Sequence, residues 1–118
     1  MEKMKKICYL REKNRLILEM YRKGKRMYTL LLVDDEKLEL ETLRDYIDWK
    51  SMGITAVYTA GSGKEAYKKV WNLQPDIMIT DIHMPVISGI ELVQQLHEEH
   101  SNVQVIFLTG YDDVENIK

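Results

Sequence analysis

Short apolar or β-branched runs alternate along the chain with longer segments in which apolar residues recur at helical spacing. The short runs are residues 30–33, 54–60, 77–80 and 103–108. Runs of this length, bounded by turn-forming residues, predict buried strands. The intervening segments predict helices at residues 37–49, 64–73 and 89–99, with a further helix starting near residue 112. This alternation with short connections predicts an α/β fold, in which a parallel sheet is covered by helices on both faces.

Each predicted helix has an apolar stripe that we expect to face the sheet. The three stripes are Leu40, Leu43 and Ile47; Ala66, Val70 and Leu73; and Ile90, Val93 and Leu96. Ser88 is the expected cap of the third helix, because a serine hydroxyl accepts hydrogen bonds from first-turn N–H groups and Glu91 follows at capping-box spacing.

The segment at residues 61–64, Gly-Ser-Gly-Lys, looks like part of a phosphate-binding loop. A Walker motif requires glycine four residues before its final Gly-Lys and Ser or Thr directly after it. Tyr58 and Glu65 stand at those positions. We therefore interpret Ser62 and Gly63 as the cap of the second helix.

Acidic residues follow two of the predicted strands. Asp81 comes directly after the third run, and Asp34 and Asp35 come directly after the first. The carboxyl ends of parallel strands share one edge of the sheet, where ligands bind. Asp81 alone is also explained as a turn residue, but three aspartates at one edge repel one another unless a cation is present. Such oxygen ligands suit Mg²⁺ or Mn²⁺, and a carboxylate beside Mg²⁺ suits acceptance of a phosphoryl group.

A hydroxyl side chain, Thr109, directly follows the fourth run, and Gly110 comes next. A hydroxyl at the same sheet edge can donate a hydrogen bond to a phosphoryl oxygen, and the glycine leaves room for that group to approach.

Taken together, these motifs resemble the receiver domain of bacterial two-component response regulators. The matching segments are VDDE at residues 33–36, the pattern D-I-x-M-P-x-x-x-G-x-E-L at residues 81–92 and LTG at residues 108–110. The resemblance covers residues 27–118 and implies a flavodoxin-like, doubly wound sheet of strand order 2-1-3-4-5. The spacing of Trp49 and Gly53 also resembles receivers fused to arabinose-regulator-type helix-turn-helix domains.

The resemblance implies specific roles for the site residues. Asp81 is implied to accept a phosphoryl group from a sensor histidine kinase, and Thr109 to contact that group. Mg²⁺, or Mn²⁺ in its place, is implied to bind Asp35, Asp81 and the backbone carbonyl of His83 directly, with Asp34 acting through water.

Two further residues are expected to tune the lifetime of the phosphoryl group. His83 and Tyr111 lie two residues beyond Asp81 and Thr109, so we expect their side chains to flank the path of an attacking water molecule. His83 is also suited to orient that water, since histidine titrates near neutral pH.

The implied function is phosphorelay signalling by a regulator, not an enzyme, with self-catalysed phosphotransfer and dephosphorylation at most. The implied partners are the sensor kinase, an output domain that controls transcription, and a second copy of the chain; DNA would be bound only through the output domain. Two alternatives remain: a receiver-like interaction module that is not phosphorylated, and a Mg²⁺-dependent phosphohydrolase. The second requires an acid/base carboxylate two residues after the nucleophile, where this chain has His83.

The chain departs from the family pattern at its C-terminal end. The fifth strand, the fifth helix and the lysine that ends that strand have no counterpart, and Lys118 is too early for that role. We therefore expect the receiver domain to be incomplete and the chain to be a fragment of a longer regulator or a truncated gene product. The fourth strand would then form an exposed edge, so we expect low stability as an isolated monomer.

Charge divides the chain near Met27. Residues 1–26 hold ten Lys or Arg and three Glu, a net charge of +7, whereas the remainder has a net charge of −9. This basic N-terminal extension has apolar residues at roughly helical spacing and admits three interpretations: a helix that touches nucleic acid or anionic lipid, a helix loosely packed on the acidic receiver, or a leader. We favour the last two, because short basic runs are usually solvated.

Other features exclude several classes of protein. The single cysteine, Cys8, excludes an internal disulfide. His97 and His100 have no third metal-binding residue beside them in the sequence, so we interpret them as surface residues. No apolar run approaches the roughly 18–20 residues of a membrane span, and no signal peptide is recognisable. We therefore expect a cytoplasmic protein without a membrane partner.

Overall fold

The apolar runs of the sequence form the strands of one parallel sheet. The strands are β1 (Tyr28–Val33), β2 (Ile54–Ala60), β3 (Ile77–Asp81) and β4 (Gln104–Leu108). Their spatial order is β2-β1-β3-β4, and each adjacent pair is parallel. The computed structural model describes residues 27–108, so the N-terminal extension, Thr109 and the predicted fourth helix lie outside the described residues. Within residues 27–108 the flavodoxin-like order 2-1-3-4 is confirmed.

Helices cover both faces of this sheet. They are α1 (Lys37–Tyr46), α2 (Gly63–Leu73) and α3 (Gly89–Glu98). Because successive strand residues point to opposite faces, Leu30 and Leu32 join a core with α1, whereas Leu31 and Val33 join a second core with α2 and α3. Burial on both faces explains why β1 is apolar throughout.

The first helix is shorter than the sequence pattern predicts. It ends at Tyr46, and Ile47 is already extended, so the expected end near Trp49 was wrong. The indole of Trp49 folds back into the α1 core and donates hydrogen bonds to the carbonyl oxygens of Leu43 (3.2 Å) and Arg44 (3.1 Å). These bonds satisfy carbonyl groups that lack partners at a helix end. A single 3₁₀ turn, Lys50–Met52, then leads to β2.

Two residues of the predicted apolar stripes do not face the sheet. Leu73 is 41% exposed and Ile90 is 46% exposed. In α3 the buried positions are Gly89, Leu92 and Leu96, because Gly89 packs directly against the end of β3. With about 100° between successive helical residues, this places Ile90 to the side and brings Leu92 into the core.

The predicted helix caps are present. The Ser62 hydroxyl accepts a hydrogen bond from the Glu65 N–H, and the Ser88 hydroxyl accepts one from the Glu91 N–H, both at 3.1 Å. The Glu65 carboxylate in turn accepts the Gly61 N–H at 3.2 Å, so its side chain also holds the residue before the cap. The segment at residues 61–64 is therefore a helix start. No helix within residues 27–108 is long and apolar enough to cross a membrane.

Candidate functional site

Three aspartates meet at the carboxyl edge of the sheet. Strands β1 and β3 are adjacent, with Val33 paired to Thr80, so the residues that follow those two positions lie side by side. Asp34, Asp35 and Asp81 each offer a carboxylate oxygen, and these oxygens lie within 4.8 Å of one another. Among the described residues, this is the cluster of His, Cys, Asp and Glu side chains that could hold a metal ion.

The three carboxylates differ in exposure. Asp34 is buried at 1% exposure, Asp81 is partly buried and Asp35 is exposed. Asp34 is fixed by the backbone around it: its N–H donates to the Ala60 carbonyl oxygen at 3.2 Å, and its Oδ1 accepts the Glu36 N–H at 3.0 Å. This local hydrogen bond holds the turn between β1 and α1. The first aspartate therefore supports the loop, while the other two are accessible to solvent.

A glycine sets the position of Asp81. A Cβ atom on Gly89 would overlap the carbonyl oxygen of Asp81 and lie 3.0 Å from its carbonyl carbon. The Gly89 N–H donates to the Ile82 carbonyl oxygen at 2.8 Å. The start of α3 is thus packed against the backbone that carries Asp81, and only glycine fits there.

The loop between β3 and α3 is anchored on both sides of an exposed turn. Ile82 and Met84 are buried, whereas His83 is exposed. The Ile87 N–H then donates to the Pro85 carbonyl oxygen at 2.9 Å, which closes a three-residue turn centred on Val86. Val86 has φ 69° and is 97% exposed. A β-branched residue is strained in this left-handed region.

Ile87 explains why the strained turn persists. Its Cβ would lie 2.8 Å from a Cβ placed on Gly63, so the start of α2 is in close contact with this loop. Ile87 also packs on the second core. The contact at Gly63 and the contact at Gly89 together hold the loop, and the left-handed turn at Val86 lies between them.

A cavity of about 380 Å³ opens beside the aspartates, between β2 and α1. It is lined by Asp34, Asp35, Lys37, Leu40, Glu41, Arg44, Thr59 and Gly61. The two basic side chains in this lining pair with carboxylates of their own helix. The Lys37 ammonium lies 4.0 Å from the Glu41 carboxylate, and the Arg44 guanidinium donates hydrogen bonds to Asp45. Hydrogen bonding from Arg44 lowers the pKa of Asp45.

The structure brings together some, but not all, of the residues that the sequence singled out. Asp34, Asp35, Asp81 and His83 lie at one edge, whereas Thr109 and Tyr111 lie outside the described residues. Leu108, the residue before Thr109, is paired with Asp81 across β3 and β4. His97 and His100 are exposed.

Sequence reasoning missed the positional role of two glycines. Gly63 was interpreted only as part of a helix cap, and Gly89 only as part of a motif. The structure shows that each is in close contact with the segment that follows Asp81. The sequence offered one indication of this role, which is the position of the two glycines. Both stand at the first position of a helix, where glycine is not otherwise favoured.

Comparison with known proteins gives one consistent result. Residues 30–118 match the sequence model of the family described as response regulator receiver domain. The chain is 39% identical over 92 residues to the uncharacterized transcriptional regulatory protein YesN of Bacillus subtilis, covering 78% of this chain and 25% of that protein. It is 36% identical over 92 residues to the transcriptional regulatory protein HptR of Staphylococcus aureus, covering 78% of this chain and 36% of that protein. The chain therefore spans about a quarter to a third of the length of these relatives.

Solved structures agree. A two-component transcriptional regulator AraC from Clostridium phytofermentans superposes with a TM-score of 0.70 at 35% identity, covering 77% of this chain and 70% of that one. The REC domain of AraT, a response regulator from Geobacillus stearothermophilus, superposes with a TM-score of 0.69 at 30% identity, also covering 77% and 70%. Both names fit the similarity to arabinose-regulator-type proteins that the spacing of Trp49 and Gly53 indicated.

Proposed function

This chain belongs to the response regulator receiver domain family, and on that basis we propose that Asp81 accepts a phosphoryl group from a sensor histidine kinase in the presence of Mg²⁺. An Asp81 carboxylate oxygen would form a bond to phosphorus. The bond from phosphorus to the donor nitrogen would break, and the leaving imidazole would take up a proton. The product on this chain is an acyl phosphate.

The observation that carries the proposal is the approach of three carboxylates to within 4.8 Å at the carboxyl edge of the sheet. The donor atoms of this aspartate cluster are all carboxylate oxygens, which fits Mg²⁺ or Mn²⁺ and does not fit zinc. Asp35 and Asp81 would bind the cation directly, together with the His83 backbone carbonyl, and Asp34 would act through water. A bound divalent cation offsets the negative charge of the aspartates and of the incoming phosphoryl oxygens.

Local geometry supports Asp81 as the acceptor. It is the last residue of β3, partly exposed, and its backbone is held by contact with Gly89. Asp34 is buried and accepts the Glu36 N–H, which suits a support role. Of the three aspartates, Asp81 has the rigid backbone and the opening that a nucleophile needs.

The remaining site residues have proposed roles as well. Thr109 would donate a hydrogen bond to a phosphoryl oxygen, and His83 and Tyr111 would set the lifetime of the acyl phosphate. The His83 side chain is exposed two residues beyond Asp81, where it can reach solvent that approaches the phosphoryl group.

At the level of the whole protein, we propose that phosphorylation switches an output domain that controls transcription. The added charge of about −1.5 to −2 would bias the segment after Thr109 between two arrangements. The proposed partners are the sensor kinase, the output domain and a second copy of the chain. DNA would be reached only through the output domain, and the proposed location is the cytoplasm.

The test is the intact mass of the chain after incubation with Mg²⁺ and acetyl phosphate. We expect the mass to increase by one phosphoryl group, and Asp81→Asn to remove the increase. Asp48→Asn is the matched control, because Asp48 is exposed and lies in the turn before β2. If the wild-type mass is unchanged although Mg²⁺ binds, the phosphoacceptor function is wrong and an interaction module that is not phosphorylated becomes the better explanation.

A further inference from the structure

A second cavity, of about 400 Å³, lies at the opposite edge of the sheet, where the strands begin. The start of β1, the end of α2 and the segment between α3 and β4 form its walls. We call it the amino-edge cleft and define it by five of its lining residues: Tyr28, Trp71, Gln74, Asp76 and His100. It lies at the opposite end of the strands from the aspartate cluster, so its role is independent of the proposed phosphorylation.

The residues that directly follow two helices line this cleft. α2 ends at Leu73 with Gln74 in the left-handed conformation, φ 47°, and α3 ends at Glu98, two residues before His100 at φ 62°. The last carbonyl groups of a helix carry a partial negative charge that favours cations. The cleft therefore lies near the C-terminal ends of both helices, where a positively charged group is favoured over a negatively charged one.

The side chains of the cleft add to this charge. Asp76 contributes a carboxylate, whose Oδ2 accepts the Thr29 N–H at 2.9 Å. Among the described residues that line the cleft there is no lysine or arginine. The charged and titratable side chains among the described lining residues are thus the Asp76 carboxylate and the His100 imidazole.

The chain itself supplies a complementary group next to this cleft. The run Arg22-Lys23-Gly24-Lys25-Arg26 ends one residue before Met27, and Tyr28 is part of the cleft wall. A backbone spans at most about 3.3–3.6 Å per residue, and only Met27 separates this run from Tyr28, so the run is close enough along the chain to reach the cleft. The N-terminal 26 residues have a net charge of +7 and the remainder −9.

We propose that the amino-edge cleft is the docking site of this chain's own basic segment at residues 22–26, with Lys25 and Arg26 as the main contacts. Charge complementarity and proximity along the chain both favour this occupant over a nucleic acid or a second protein. Docking would fix the N-terminal extension at the edge of the sheet opposite the aspartates and leave the acidic site open.

Trp71 reports on this docking, because it is one of the residues that line the cleft. The other tryptophan, Trp49, is 5% exposed and donates hydrogen bonds to α1 carbonyl groups, so it serves as an internal reference and as a check of folding. The two indole N–H signals can be followed separately in ¹H–¹⁵N spectra of the full 118-residue chain. The test variant is Lys25→Glu with Arg26→Glu. The matched control is Lys5→Glu with Lys6→Glu, which makes the same charge change about twenty residues farther along the chain from Tyr28.

We expect the Trp71 signal to shift in the test variant and to stay in place in the control, with Trp49 unchanged in both. Raising the salt from about 0.05 M to about 0.5 M should shift Trp71 in the wild-type chain in the same direction, because salt screens partly exposed ion pairs. A Trp71 signal that does not respond, or that responds equally in both variants, overturns the proposal. A shift that depends on protein concentration assigns the cleft to the segment of a second copy and overturns docking within one chain.

Discussion

Gly89 lies directly against the backbone carbonyl of Asp81, with no room for a side chain between the first turn of α3 and the end of β3. This contact links the helix that follows the site to the residue that we propose as phosphoacceptor. It also gives a physical reason for a glycine eight residues after Asp81. A change at this position is expected to affect the whole edge of the sheet.

Gly89→Ala should therefore destabilise the domain. Its Cβ would collide with the carbonyl oxygen of Asp81, the last residue of β3, and crowd the backbone of Ile82. Overpacking of this kind costs about 1–3 kcal/mol. The free energy of unfolding in urea measures the effect. Gly61→Ala is the control, since a Cβ on Gly61 would meet nothing within 4 Å. Equal stabilities of the two variants would show that the contact at Gly89 is relaxed without cost.

Val86→Gly should stabilise the domain. Val86 is at φ 69° and its side chain is 97% exposed, so little packing is lost. The left-handed conformation costs a residue with a Cβ about 1–2 kcal/mol, and glycine avoids this cost. Glycine also loses more backbone entropy on folding, which offsets about half of the stabilisation. We expect a rise in Tm of a few degrees, at about 4–8 °C per kcal/mol for a domain of this size. Val86→Ala keeps the Cβ and should raise Tm by less. If alanine raises Tm as much as glycine does, the cause is the removal of exposed apolar surface and not the relief of backbone strain.

Mg²⁺ should raise the thermal stability of the chain, and Asp35→Asn should abolish this effect. Ligand at a hundredfold excess over Kd stabilises by about 2.7 kcal/mol. In the absence of metal, Asp35→Asn should melt above the wild type, because it removes one of three carboxylates within 4.8 Å. The control is Glu41→Gln, which lines the same cavity and lies 4.0 Å from Lys37. Loss of the Mg²⁺ response in the control as well would place the cation elsewhere in the cavity.

His83→Ala should change the rate at which the phosphoryl group is lost without preventing its transfer. His83 is exposed two residues beyond Asp81, where we propose that it flanks the path of an attacking water molecule. Decay of the phosphorylated mass after removal of the donor measures the rate. We expect the same kind of change for Tyr111→Ala. His97→Ala, an exposed histidine in α3, is the control, and equal decay in all four proteins would exclude a role for both side chains.

The sequence alone determined the strands and the place of the acidic edge. Apolar runs at residues 30–33 and 77–80 are too short for helices and too apolar for a half-exposed sheet, so they had to be central strands. Once β1 and β3 are parallel, the residues that follow them must share an edge. Asp34, Asp35 and Asp81 are therefore predictable as a cluster from pattern and topology. The caps at Ser62 and Ser88 are local hydrogen bonds, which sequence spacing also specifies.

Only the tertiary structure decided the end of α1, the orientation of α3 and the strain in the loop after Asp81. α1 ends early because the Trp49 side chain packs into the core and donates a hydrogen bond to the Leu43 carbonyl oxygen. Ile90 is exposed because Gly89 packs against Asp81. Helical periodicity fixes which residues share a face but not which face meets the sheet. Val86 is left-handed because Ile87 and Gly89 are held by their contacts with Gly63 and with Asp81. These features depend on packing between segments distant in sequence, which a pattern of neighbouring residues does not contain.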